Sequence, residues 1–563
     1  MRNIAGPGNF LVLLLALIFL VAALPVLAAA PPDSGAALEG VKPPVGQIPA
    51  QQAPDISVAD CELSESDDSR EKIPVKGFRL SGEPPVPEDE LLNLIKGDAG
   101  KEMTLGELDK LAARITGYLR RQGYFVAFAY LPAQDIREGI VEIAVVPGKY
   151  GRIKVAGSAR IDADRLREML FCAKPGMIII RRPLERALLL INDLSGIQVK
   201  ATLTPGETSG TADLIIATIA TVKASGASYA DDWGNRYTGR TRYGAQIVVN
   251  NLSGNGDALT LGGMTTGQGI DNYSLGYSVN LGNAGTEIEV HYSRVGYTLG
   301  EEFAGLGATG RATVASCNVS YPFIRSRAFN LYGVIGYDDK RLTDDISGYG
   351  SYSSRTSGQW NLGLSGSFAD TWLGGGAFSL TCYSGELNFD DTAALALDAV
   401  TAQTSGNFSK TVFSCRRQQY IAPNLTFNLS FTGQMASKNL DSSEKLFLGG
   451  ADGVRAFSQG EAAGDEGYKL TGEFRWRLAD LCGGQNNLYL TTFYDYGSVT
   501  SNKQPYSPGI NRRSLTGAGL GLLLTRDRGF SLRVDYAWKV GDDQAAADDD
   551  QSGRLWLQGV KYF

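Results

Sequence analysis

One arginine stands inside the stretch Phe447-Leu448-Gly449-Gly450-Ala451-Asp452-Gly453-Val454-Arg455-Ala456-Phe457, between apolar neighbours. Three glycines and an aspartate break any period-2 alternation there, so the stretch is a loop although strand-like runs lie on both sides. Further on, Phe493-Tyr494-Asp495-Tyr496-Gly497 sets one carboxylate among aromatic residues. What these two sites offer is charge and hydrogen bonding, not bond-making. The rest of the chain agrees. It has a single histidine, His291, which removes most triads, histidine metal clusters and histidine acid–base schemes. The six cysteines (61, 172, 317, 382, 415, 482) show no C-x-x-C spacing and no metal framework. No P-loop is present. The expectation is therefore a protein that is not an enzyme, with no catalytic residues, no metal and no cofactor.

The 563 residues are too many for one core, so several domains are expected. A net charge of −7 argues against nucleic acid as a partner. Residues 1–30 read as a secretory signal peptide: Met1-Arg2-Asn3, an apolar run over 10–27, then Ala28-Ala29-Ala30. No other stretch resembles a membrane-spanning helix. An exported chain without such helices is a soluble protein or a β-barrel, because only helices and closed barrels satisfy their backbone in lipid.

Residues 31–72, rich in Pro, Ala, Ser and Asp, read as a flexible linker. Two small α/β modules follow, at 73–148 and 149–221. The first has a strand at 75–80 and helices at 88–95 and 104–123. The second of these helices opens with a Thr104–Glu107 capping box and repeats Leu105, Leu108, Leu111, Ala112, Ile115 and Leu119 on one face. Strands at 124–131 and 140–146 complete the order β-α-α-β-β. The order recurs with a strand at 152–155, helices at 163–171 and 183–194, and strands at 197–203 and 212–218.

From residue 222 onward the texture turns to Gly, Tyr, Ser, Asn and Thr. In 530–540 every even position is apolar and four of the five odd ones are polar or charged. Residues 425–432 alternate likewise, and so do 470–478, with Glu473, Arg475 and Arg477 on the polar face. One apolar and one charged face fit a lipid-facing exterior and a polar lumen. Irregular segments at 300–309, 342–355, 390–406 and 436–466 read as long surface loops. The fold class is a β-barrel membrane protein over 222–563, of about 16 antiparallel strands, and the 436–466 loop falls between the eleventh and twelfth. On 488–496 the even positions face lipid, which turns Phe493 and Asp495 into the lumen.

The loop stretch resembles the G-G-x-x-x-V-R-G-[FY] motif of Omp85-superfamily outer-membrane transporters, and in particular of the TpsB transporters of two-partner secretion. Ala456 stands where the family usually has glycine. Phe493-Tyr494-Asp495-Tyr496-Gly497 resembles the F-x-D-x-G motif of the same families. Tyr130-Leu131-Pro132-Ala133-Gln134-Asp135, with Gly139 and Pro147-Gly148, resembles the first POTRA domain of TpsB proteins, and the run 184–193 the second. The C-terminal strand ending in Phe563 resembles the signal for outer-membrane assembly.

The resemblance implies a functional sixth loop, 436–466, folded inward and carrying Gly449, Gly450, Gly453, Val454, Arg455, Ala456 and Phe457. It implies a lumen partner motif of Phe493, Asp495 and Gly497, with Arg455 paired to Asp495. It further implies a protein of the cell outer membrane with periplasmic POTRA domains. Such a protein takes a large TpsA-like exoprotein and passes it unfolded through the barrel. Its other partners would be outer-membrane lipid and, for its own insertion, the Bam machinery. The alternative is a Bam-type assembly factor that inserts other barrels. Some TpsB proteins carry a plug helix in the linker region; residues 31–72 show no amphipathic period long enough to predict one.

Overall fold

The wall of the molecule is a single antiparallel sheet that closes on itself. A computed structural model describes residues 32–42, 55–58, 71–136, 138–481, 485–526 and 529–563. The expected leader at 1–30 lies outside these residues. Among them, no helix is long and apolar enough to cross a membrane. The sixteen strands run from Ala224–Asp231 to Gly553–Tyr562, each bonded to its sequence neighbour. Alternation decides which face meets lipid. Leu532, Val534, Tyr536 and Trp538 point outward and are exposed, while Asp535 between them is buried in the lumen. Closure joins the first strand to the last from Ala227↔Tyr562 to Asp231↔Gln558. This seam is shorter than the neighbouring pair, which is in register from Ala224↔Val249 to Asp231↔Arg242.

Two expected surface loops are in fact structured. Residues 342–355 belong to the long strands Phe329–Ile346 and Ser351–Ala369, joined by a tight turn at Ser347–Tyr349. Polar residues on both faces hid this continuation, because the ladder there needs no lipid-facing apolar side. Residues 390–406 hold a helix, Thr392–Val400, whose N-terminus is capped by Asp391. The 436–466 loop does connect the eleventh strand, Leu425–Ala436, to the twelfth, Glu466–Leu481.

The second module has the order β-α-α-β-β, and the first adds to it a short pair, Lys72–Pro74 with Glu102–Thr104, the latter strand lying between its two helices. In the first, Leu105–Arg121 is capped by Thr104 and Glu107 and buries Leu108, Leu111, Ala112, Ile115 and Leu119. Gly123, at φ +100°, follows the helix in the left-handed conformation that glycine allows. In the second module, strands Lys149–Gly157, Thr211–Ala220 and Ile197–Pro205 form a sheet beneath helices Ala163–Met169 and Arg181–Asn192. This module is bolted to the periplasmic turns of the barrel. Arg325 holds Asp193 through Nε and Nη2 at 2.8 and 2.7 Å. Arg186 donates to Pro322 O at 2.7 Å, and Arg165 to Asn280 O at 2.8 Å.

The expectation of a flexible linker over 31–72 is corrected at two places. A seven-residue helix, Ser34–Gly40, is seated on the inner wall of the barrel, and a short strand, Asp55–Val58, adds to the second module's sheet. The helix is too short to show a period. Its position comes from its cap, Asp33, and from its lumen contacts, and neither can be read from the local pattern.

Candidate functional site

The loop that carries Arg455 descends into the lumen and builds a small structure of its own. Leu446–Phe447 pairs with Ala463–Gly464, and within that clasp the Val454 N–H donates to Leu448 O at 2.7 Å. The chain turns so tightly that glycine is required. Gly450 has φ +104°. A Cβ on Gly449 or Gly453 would fall 2.1 Å from Ser458 O or 1.9 Å from Leu448 O. Leu448, Val454, Ala456 and Phe457 are buried against Phe493, Val499, Leu515 and Ala537 of the wall. The wall makes room for them through its own glycines. A Cβ on Gly497 would meet Leu448 Cδ2 at 2.8 Å, and one on Gly517 would meet Ala456 Cβ at 2.8 Å. The methyl of Ala456 therefore fits because position 517 has none.

Arg455 is the centre of the lock. Its Nε and Nη2 grip both oxygens of Asp495, at 2.8 and 2.9 Å, and its backbone N–H reaches Asp495 Oδ2 at 3.2 Å. Nη1 donates to Glu473 Oε2 at 2.9 Å and to Asp535 Oδ2 at 3.2 Å. The guanidinium lies 3.3 Å from the centroid of the Phe493 ring. Trp556 Nε1 donates to the Arg455 carbonyl at 2.6 Å. Arg455 is 4% exposed and Asp495 fully buried. Two more arginines complete the network: Arg475 donates to Glu473 at 2.7 Å, and Arg533 bridges Asp535 and Glu473 at 2.8 and 2.5 Å. Three cations thus face three carboxylates, so the buried charge is balanced, as burial of ions demands.

All the residues expected at this site come together: Gly449, Gly450, Gly453, Val454, Arg455, Ala456 and Phe457 on the loop, Phe493, Asp495 and Gly497 on the wall. Arg475, on the polar face of its strand, is more than lumen lining, and Glu473, Arg533, Asp535 and Trp556 join the network without any motif to mark them. Parity already turned Glu473 and Asp535 inward. Strand register was the missing signal, since Thr471 pairs with Asp495, and Asp535 with Trp556.

A second cluster lies elsewhere on the inner wall, where the short helix meets the same loop. Arg355 Nη2 is 2.8 Å from Asp344 and 3.2 Å from Asp33, and its Nε is 3.3 Å from Asp441 of the loop. Ser442 Oγ donates to Asp33 at 2.6 Å, and Ser34 N and Oγ both donate to Asp344 at 2.8 Å. Gly35 lies so near the loop that a Cβ would be 2.2 Å from Ser442 Oγ. Lys340 and Lys410 both hold Glu444 a little further along. Between the helix, the loop and the wall remains a cavity of about 1630 Å³, lined by Lys42, Lys410, Arg416, Lys469, Arg475 and Arg533 among others.

A closed sixteen-stranded barrel, an inward sixth loop locked by arginine, and α/β modules at its periplasmic mouth define a β-barrel outer-membrane transporter. The chain belongs to the haemolysin secretion/activation protein family ShlB/FhaC/HecB, whose model matches residues 210–524, and the ShlB-type POTRA domain model matches residues 73–148. It is 30% identical over 501 residues to the heme/hemopexin transporter protein HuxB of Haemophilus influenzae, covering 87% of each chain. It is 22% identical over 444 residues to the outer membrane transporter CdiB of Dickeya dadantii, covering 77% of each. Among solved structures, CdiB from Escherichia coli matches with a TM-score of 0.70 at 19% identity over the whole of both chains. CdiB from Acinetobacter baumannii matches with 0.61 at 18% identity, covering 91% of this chain and 95% of that one. The barrel lies in the outer membrane with its POTRA module in the periplasm.

Proposed function

We propose that this chain is the translocator of a two-partner secretion pair. Its periplasmic modules receive one large exoprotein in an extended state, and the barrel conducts it outward unfolded. The observation that carries the reading is the doubly closed pore: a surface loop and an N-terminal helix both sit inside the lumen, each held by ionic contacts that can be broken without disturbing the strand ladder. A passive porin has no use for such a closure, whereas a translocator must hold its pore shut between clients. No catalytic chemistry enters the proposal. Outward folding of the client drives transport, and the Bam machinery inserts the barrel itself. The test deletes residues 75–218. The barrel should still insert and remain heat-modifiable, and secretion of the exoprotein should stop. Secretion at the wild-type rate would refute the receptor role of the modules.

A further inference from the structure

The large lumen cavity carries cations that neither lock uses. Arg416 on the tenth strand, Gly406–Ala422, and Lys469 on the twelfth both line it, with the eleventh strand between them. Register sets their surroundings. Arg416 pairs with Ser430 and Ser430 with Thr471; in the next row on the same face, Ser414 pairs with Thr432 and Thr432 with Lys469. Two strand widths and two residues separate the cations, a gap that side chains of this length span with one ligand between them. The wall they enclose is made of hydroxyls.

Neither cation is neutralised. Among the described residues, no carboxylate lies within ion-pair distance of Arg416 or Lys469. Lys469 Nζ donates only to the main-chain carbonyl of Asp452, at 3.3 Å. The nearby carboxylates are taken: Glu39 holds Lys42, and Glu473 is shared by Arg455, Arg475 and Arg533. Glu289 also borders a separate acidic cavity of about 370 Å³, with Glu287 and Asp338. Two side chains lining the large cavity have a buried polar atom without a partner, Asn428 Nδ2 and Gln558 Nε2, and both are donors. Buried donors normally find an acceptor, so a space walled by cations, hydroxyls and unpaired amide N–H groups is shaped for an anion. Residues 43–54, between the lumen helix and Asp55, contain no acidic side chain, so that stretch supplies no carboxylate.

We propose that Arg416 and Lys469, with Asn428 and the hydroxyls of Ser430, Thr432 and Thr471, form an anion-binding site in the lumen, and that its ligands are Asp and Glu carboxylates of the polypeptide in transit. The source of the carboxylates rests on the translocator reading; the site itself does not. An acidic stretch entering the pore exchanges water for charge-assisted hydrogen bonds on this wall.

The probe is hexaglutamate, titrated by calorimetry into the purified full chain in detergent, beside hexaglutamine and inorganic phosphate. Hexaglutamate should bind, hexaglutamine should not, and added salt should weaken the binding. Arg416→Gln/Lys469→Gln should lower the affinity by about tenfold or more, while the charge-keeping Arg416→Lys/Lys469→Arg should retain it. Arg416→Gln alone should act in the same direction. Among the described residues Arg416 makes no hydrogen bond or ion pair to the loop or the lumen helix, so its loss leaves the closure intact. Heat-modifiability checks that each variant has folded. In cells, the double glutamine variant should slow secretion severalfold at normal outer-membrane levels. Equal hexaglutamate binding by the native and glutamine chains, or equal binding of hexaglutamine, would overturn the site. Phosphate binding without hexaglutamate binding would overturn the assignment to a polypeptide, as would unchanged secretion in the glutamine variant. Failure of the translocator reading shows separately, as secretion that persists without residues 75–218.

Discussion

Two of the arginines that fasten the lumen segments, Arg455 and Arg355, work under opposite conditions. Arg455 turns all three guanidinium nitrogens to carboxylates of the wall, with one bidentate pair and an aromatic ring beneath. Arg355 is shared among three segments, the N-terminal cap Asp33, the wall residue Asp344 and the loop residue Asp441. Its Nε is close enough to Asp441 for an ion pair yet makes no hydrogen bond. The first arrangement ties one loop to one wall with little slack. The second holds three movable pieces by contacts that are individually weaker. The difference suggests an order of opening: the helix and the outer arm of the loop release first, and the Arg455 core holds longest.

The largest effect should come from the tighter lock. Arg455→Ala strands the buried Asp495 and leaves Glu473 and Asp535 to Arg475 and Arg533 alone, and Asp495→Ala leaves the guanidinium without its bidentate partner; loss of a buried partner costs about 3–5 kcal/mol. Secretion should fall tenfold or more in either variant, with outer-membrane levels near normal because the strand ladder is untouched. In a double-mutant cycle on secretion rate the two changes should be strongly non-additive; additive losses would mean the pair does not act as one. Exchanging the two charges should fail to restore activity, since an aspartate at 455 would face Glu473 and Asp535 as well.

A more moderate effect should follow at the looser lock. Arg355→Ala frees the cap of the lumen helix, so purified protein in planar bilayers should show a severalfold higher open probability while secretion continues. An unchanged conductance would show that Arg355 does not hold the helix in place. Smaller still, Trp556→Phe removes one hydrogen bond, worth about 1 kcal/mol, and keeps the packing. Secretion should drop only a few-fold, and a loss as deep as that of Arg455→Ala would mean that the ring itself carries the lock.

The slightest effect belongs to the modules. The backbone N–H of Arg152, at 2.8 Å, and then its guanidinium hold the Asp213 carboxyl below its ordinary value. A carboxyl lowered in the fold stabilises above its unfolded titration range and loses that contribution as pH falls through its folded value. Acidification should therefore loosen the second module before the barrel, followed by hydrogen exchange along Thr211–Ala220, and Asp213→Asn should remove that part of the pH dependence.

Much of this was legible in the sequence because the barrel repeats one rule. Period-2 alternation at 530–540 gave the class, and the same parity put Asp495 in the lumen. The loop motif and the aspartate strand were recognisable from short stretches. What stayed hidden depended on contacts between distant residues. The lumen helix has seven residues and owes its place to Asp344, Arg355 and Ser442, more than three hundred positions away. Trp556 shared a face with Val560 that blurred the alternation of the last strand. Both are buried inside the barrel, and Leu555 and Leu557 are the residues that meet lipid. A tryptophan in the lumen reads as a flaw in the pattern until its hydrogen bond to Arg455 is seen.

The strand that carries this tryptophan also closes the ring. Strand Gly553–Tyr562 does two things at once: it zips the ring shut along the short seam and presents the donor that grips the Arg455 carbonyl. A chain cut before Gly553 loses closure and latch together. Such a product leaves open sheet edges at Ala224–Asp231 and Phe530–Lys539 and takes from the loop its Trp556 donor, while Asp495, Glu473 and Asp535 still hold Arg455.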